Sequence, residues 1–186
     1  MTTLMVTGHR KLVPAGWSGP PWPEASHEVK AWHERITELM VRVIMAFIEA
    51  GVHECVTGMA IGADTLFGEA VVRVKQTHQM ALVAAVPFAG QETKWPTSSQ
   101  SRYRDLLSRA DQVVTVSPGS YTAAKMQVRN MWMVDHSQFV LAVWDGKRSG
   151  GTWNCLQYAA QMHRPITRLE PGTLVVEPFN PGGMHA

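Results

Sequence analysis

Cysteine is nearly missing from this chain. Its 186 residues hold two, Cys55 and Cys155, which make no spaced disulfide framework and fit a reducing compartment. An excess of one charge is missing too. Lys and Arg total 17 against 15 Asp and Glu, a net of +2. That field is too weak to argue for a nucleic-acid partner by charge. No apolar run approaches the ~20 residues that span a bilayer; the longest lies near MALVAAVPFA, 80–89. The opening MTTLMVTGHR has no basic segment followed by an apolar core, so no secretory leader is read there. A cytoplasmic protein with no membrane partner is expected. The eight histidines form no His-Glu-x-x-His or Cys/His spacing, so neither a metal nor a cofactor is expected. There is no Gly-x-Ser-x-Gly elbow, no internal repeat and no low-complexity tract.

What is present is an apolar fraction of 45%, enough for one ordinary core. Short, continuous apolar runs alternate with helical stripes. TLMVTG, ECVTG, MALVAAVPF, QVVTVS, FVLAVWD and PITRLE read as strands. Between them, HEVKAWHERITELMVRVIMAFIEAG, ADTLFGEAVVRVKQT, SRYRDLLSRA, TAAKMQVRNMWMVDHS and TWNCLQYAAQMH read as helices. Ser98 or Ser99 is the expected cap of the third helix. This alternation implies an α/β fold: a Rossmann-like, doubly wound, mainly parallel sheet with helices on both faces. Residues 1–170 form one domain, with 11–26 (rich in Pro, Gly and Trp) as a loop excursion. Residues 171–186 are a tail whose end is frayed. Met40, Met45, Met126, Met131, Trp132 and Met133 exceed what one buried face per helix needs, so a homodimer is expected.

In open α/β sheets ligands lie beyond the carboxyl ends of the strands. The segments following those ends are TGHR, GMAIGAD, PFAGQETKW, SPGSY and WDGKRSGGT, and they collect glycines and polar residues. Gly150 and Gly151 can present bare N–H groups, with Thr152 as a helix cap and hydroxyl donor: a phosphate cradle. Gly58, Ala60, Gly62, Ala63 and Asp64 open a second glycine-rich helix start. Asp64 either caps free N–H groups or holds a ribose hydroxyl. After the first strand, Gly8, His9 and Arg10 supply a cation for phosphate or for a carboxylate such as Asp64 or Asp135. Pro87, Phe88 and Trp95 follow the third strand, where Trp95 either packs or stacks on a base. Asp145 follows the fifth. Arg129, Asn130 and Asp135 come from the fourth helix.

TGHR, GMAIGAD, the Pro-Phe…Trp step and RADQVVTVSPGSYTAAKMQVRNMWMVDHSQFVLAVWDGKRSGGT together resemble the YpsA-like branch of the SLOG superfamily, from about Val6 to Pro165. The resemblance implies a Rossmann-like fold and a site for a nucleotide or an ADP-ribose-like ligand. It also implies relatedness to DprA DNA-processing proteins, to LOG phosphoribohydrolases and to sensor domains. The 20–23 PPWP excursion lies outside the pattern. LOG enzymes carry Pro-Gly-Gly-x-Gly-Thr-x-x-Glu where this chain has RSGGTWNC. Cys155 thus stands in place of their glutamate, with Glu69 and Asp64 as the candidates to replace it. A binding protein is therefore expected over LOG-like N-glycosidic hydrolysis. DprA-like single-strand binding is disfavoured by the weak charge and the lack of a basic–aromatic stripe.

Overall fold

The computed structural model describes residues 2–21 and 26–182. Part of the 11–26 excursion and the last four residues of the tail lie outside the described residues. Twelve elements follow in order: β1 (Thr2–Gly8), α1 (His27–Glu49), β2 (Val52–Thr57), α2 (Ala63–Val74), β3 (Ala81–Val86), α3 (Thr97–Ser108), β4 (Gln112–Thr115), α4 (Ala123–Asp135), β5 (Phe139–Val143), α5 (Gly150–Gln161), β6 (Ile166–Leu169) and β7 (Val176–Phe179). The seven strands form one sheet in the order β4-β3-β2-β1-β5-β6-β7. Every pairing is parallel except β6 with β7.

Strand parity divides the core. Leu4, Val6, Cys55, Leu82, Ala84, Leu141 and Val143 face the layer of α1, α2 and α3, meeting Ile36, Met40, Phe67 and Leu106. Met5, Val56, Val83, Ala85, Val140 and Ala142 face the opposite layer, meeting Met133 and Val134 of α4 and Cys155, Leu156 and Ala159 of α5. Period-two alternation on strands buried from both sides produces this sorting. Since β2 to β4 extend one way from β1 and β5 to β7 the other, the chain reverses between β1 and β5. That is the position where a doubly wound sheet opens a crevice.

Several boundaries differ from the sequence reading. The third helix begins at Thr97 after Pro96, not at a Ser98 or Ser99 cap. The Pro96 carbonyl accepts the Gln100 N–H at 3.0 Å, so the cap lies two or three residues earlier, at a residue with no polar side chain. The tail is not plain tail: β7 pairs antiparallel with β6, from Ile166 opposite Phe179 to Leu169 opposite Val176. Pro178 was compatible with this because an edge strand needs no donor on its outer side. The excursion packs onto the same corner: Ala15 N–H donates to Gly172 O at 3.0 Å and Leu12 is fully buried. Among the described residues no helix is long and apolar enough to cross a membrane.

Candidate functional site

The crevice between β1 and β5 is closed at its floor by His9. Its backbone N–H donates to Val143 O at 3.1 Å, and its ring Nε2 sits 2.8 Å from Asp145 Oδ1. Burial pushes the Asp145 carboxyl up, but the Lys147 N–H and His9 outweigh it, and it lies below its ordinary value. Above this floor is a cavity of about 290 Å³ lined by β1 and its following loop, Ala60 and Asp64, one face of α4, and Gly151 and Thr152.

The two glycine-rich helix starts are not equivalent. At α2, the Ala63 N–H donates to His9 O at 3.0 Å and the Thr65 N–H to Ala60 O at 3.2 Å. Those amides are therefore not offered to an anion, against the expectation that both helix starts face one ligand. Gly62 is the α2 N-cap at φ 93°, and a Cβ there would lie 2.5 Å from His9 O. Its role is close backbone approach. At α5, Ser149 rather than Thr152 is the N-cap, and its side chain accepts nothing from the first turn. Thr152 lies inside the helix, so its expected capping role is not what the geometry gives. The first-turn amides of a helix have no intrahelical acceptors, and here the Ser149 side chain satisfies none of them. A Cβ on Gly150 or on Gly151 would meet no atom within 4 Å, and Gly150 has φ +83°.

Opposite α5 stands a buried ion pair. Arg129 Nη1 lies 3.2 Å from Asp64 Oδ2, with both side chains nearly inaccessible. Asp64 Oδ2 also accepts the Ala60 N–H at 3.2 Å. Burial raises the Asp64 carboxyl above its ordinary value, while Arg129, Ala60 and Arg10 oppose that rise. Gly58 makes the arrangement possible, because a Cβ at that position would fall 1.5 Å from Arg129 Nη1. Met59 beside it holds φ 59°, an uncommon conformation for a residue with a side chain. The cation paired with the Asp64 carboxylate is thus Arg129, not Arg10; Arg10 is exposed and lines the cavity.

The cavity brings together Gly8, His9, Arg10, Ala60, Asp64, Arg129, Asn130, Gly151 and Thr152. Gly58, Gly62 and Ala63 lie behind its wall. Pro87 is buried and its carbonyl accepts the Ser117 N–H at 3.1 Å. Asp135 does not join the site; it accepts the Tyr158 hydroxyl at 2.9 Å near the far end of α4. Phe88 and Trp95 line a neighbouring cavity of about 660 Å³, which shares Arg10 and Met126 with the first. Met126 was missed as a lining residue, although it precedes Arg129 and Asn130 by three and four positions and so shares their helix face. Thr7 was missed because nothing distinguishes it from the strand it ends.

A family model described as the YspA SLOG family matches residues 27–171. The chain belongs to that SLOG family. Among curated relatives, the uncharacterized SPbeta prophage-derived protein YoqJ of Bacillus subtilis (strain 168) is 35% identical over 130 residues, covering 62% of this chain and 75% of YoqJ. The UPF0398 protein BH1768 of Halalkalibacterium halodurans is 30% identical over 118 residues, covering 62% of each. By fold, this SLOG chain is similar to DNA processing protein A (DprA) from Streptococcus pneumoniae, with a TM-score of 0.61 at 16% identity. The match covers 91% of this chain but 50% of that one. DNA processing protein A from Helicobacter pylori, described for its unique single-stranded DNA binding mode, gives a TM-score of 0.56 at 15% identity, covering 91% and 65%. The SLOG chain therefore spans about half the length of the pneumococcal protein.

At the position compared with the LOG glutamate, Cys155 is fully buried, and burial pushes its thiol up to about 11. Glu69 does not replace the glutamate, since its carboxylate is held by Arg102 at 2.7 Å outside the cavity lining. Among the described residues no group of three or more His, Cys, Asp or Glu is placed to hold a metal.

Proposed function

We propose that this chain binds a nucleotide or nucleotide-derived, ADP-ribose-like ligand at the carboxyl edge of its sheet, as a sensor or sequestering protein. One observation carries the reading: an uncapped helix start, with Gly151 and Thr152 on the cavity wall, faces a cavity that also holds Arg10 and Arg129. Free helix amides and guanidinium groups around one space suit a phosphate. LOG-like hydrolysis is the lesser reading, because the carboxylate lining this cavity, Asp64, is already engaged by Arg129. A homodimer belongs to the proposal on a narrower basis than the sequence offered. Met40 and Met133 are core residues, and α4 exposes Val128 and Met131.

Calorimetric titration of nucleoside mono- and diphosphates and ADP-ribose tests the reading. Arg10→Ala is expected to weaken binding by roughly 1.5–3 kcal/mol, as for a charged hydrogen bond to phosphate. Gly151→Val is expected to abolish it, since the side chain projects into open space and leaves the fold intact. A Gly151→Val protein that binds as tightly as wild type would remove the cradle.

Single-stranded DNA binding is a second reading, favoured by the likeness of fold to the DprA proteins. The weak net charge does not decide against it, because a local cavity can be cationic in a near-neutral chain. Association that falls steeply with salt would mark it.

A further inference from the structure

The larger neighbouring cavity has a composition unlike the first. Phe88, Trp95 and Tyr121 supply aromatic surface, Lys94 adds a cation, and Arg10 and Met126 form the wall common to both cavities. Tyr121 is the anomalous member. It is 62% exposed, and its ring meets Phe88 edge-on with centroids 5.8 Å apart. Yet the loop that carries it is pinned: Lys125 of α4 donates through Nζ to the carbonyls of Pro118 and Ser120. Trp95 is braced in turn, edge-to-face against Tyr103 at 5.5 Å. Braced aromatic rings at the rim of an open space lose little freedom when another ring stacks there.

We infer that this second cavity seats an aromatic ring, so that the ligand is a nucleoside diphosphate or a conjugate of one, not a sugar phosphate. The inference rests on the reading that a phosphate sits at the start of α5. One phosphate lies against Gly151 and Thr152. The second passes Arg10, the cation on the shared wall. The base then reaches Tyr121 and Trp95, on the side of α3 and α4. A lone phosphate or a pentose phosphate fills the first cavity and leaves the aromatic surface uncovered.

The test titrates the full chain with ADP, ribose 5-phosphate, inorganic pyrophosphate and a short oligothymidylate, read by calorimetry and by tryptophan emission. The proteins are wild type, Tyr121→Ala, Trp95→Phe and Gly151→Val. ADP is expected to bind at least about tenfold tighter than ribose 5-phosphate and to change the tryptophan emission, a change that Trp95→Phe reduces. Tyr121→Ala is expected to weaken ADP about tenfold, in line with the loss of one stacking contact. It is expected to leave pyrophosphate and ribose 5-phosphate unchanged, and Gly151→Val weakens all three. Equal affinity of wild type and Tyr121→Ala for ADP overturns the ring seat while leaving the phosphate cradle standing. Binding of none of the small anions, with Gly151→Val inert, overturns the cradle and the seat together. Tyr121-dependent binding of the oligothymidylate alone also overturns the small-ligand assignment and gives the cavity to a DNA strand.

Discussion

At the residue scale, the site turns on a contact that no motif announces. Arg129 is held against Asp64 and roofed over Gly58, which has no side chain to obstruct it. Glycine at 58 reads in the sequence as a donor of backbone amides, whereas in the fold it makes room for a guanidinium. Gly58→Ala is expected to displace Arg129 and destabilise the protein by about 3 kcal/mol, a cost of the order of breaking a buried ion pair. Denaturant unfolding measures it. Asp64→Asn should cost a comparable amount by leaving Arg129 without its counter-charge, and the double change Asp64→Asn with Arg129→Met should recover part of that loss. Additive losses in the double mutant would show that the two side chains do not act as a pair. Sequence could not supply this pairing. Arg10, Asp64, Arg129 and Asp135 were all visible as charged groups near strand ends or on one helix, but which acid meets which base depends on how the start of α2 and a residue of α4, helices on opposite faces of the sheet, come together at its carboxyl edge.

At the scale of elements, β1 to β6 and α1 to α5 were legible because two-sided burial writes continuous apolar runs and helices write stripes. The boundary failures have local causes. Pro96 starts α3 without a polar cap, and the α5 cap moves from Thr152 to Ser149 because Gly150 adopts a positive φ. β7 was illegible since VEPF is exposed along most of its length and contains a proline. Its hold on the sheet depends partly on Glu170, whose carboxylate accepts the Gly172 N–H at 3.1 Å and the Thr173 N–H at 2.6 Å across the turn. Burial pushes the Glu170 carboxyl up, but Thr173, Gly172 and Arg168 outweigh it, so it lies below its ordinary 4.5. A depressed carboxylate stabilises the folded state above its unfolded value and loses that contribution as pH falls through its folded value. Hydrogen exchange at the β6–β7 pairing is therefore expected to accelerate as pH drops below about 4.5, beyond the intrinsic exchange trend. Glu170→Gln should remove that acid-dependent component. An unchanged pH profile in the variant would assign β7's stability elsewhere, for instance to the packing of Phe179 on Trp144.

At the scale of the whole molecule, the sheet order places the crevice between β1 and β5, and the chain's reversal there makes a site out of segments far apart in sequence. The family and the fold follow from pattern, while the assembly does not. Of the methionines that suggested a dimer interface, Met40 and Met133 lie in the core, Met45 packs partly buried against it and Met126 lines the cavities, so Val128 and Met131 remain exposed on α4. Light scattering that gives a dimer mass, reduced to a monomer by Val128→Asp, would support association through α4; a monomer mass for the wild type at micromolar concentration would exclude it there. The central claim, that a phosphate rests on the uncapped start of α5, is reached most directly by nuclear magnetic resonance of backbone amides. Titrating ADP into labelled protein is expected to shift the Gly150, Gly151, Thr152 and Trp153 amides together, with Gly51, at the opposite edge of the sheet just before β2, unmoved as a distant reference. Saturating ADP that leaves those four amides in place, while resonances elsewhere move, would contradict the account.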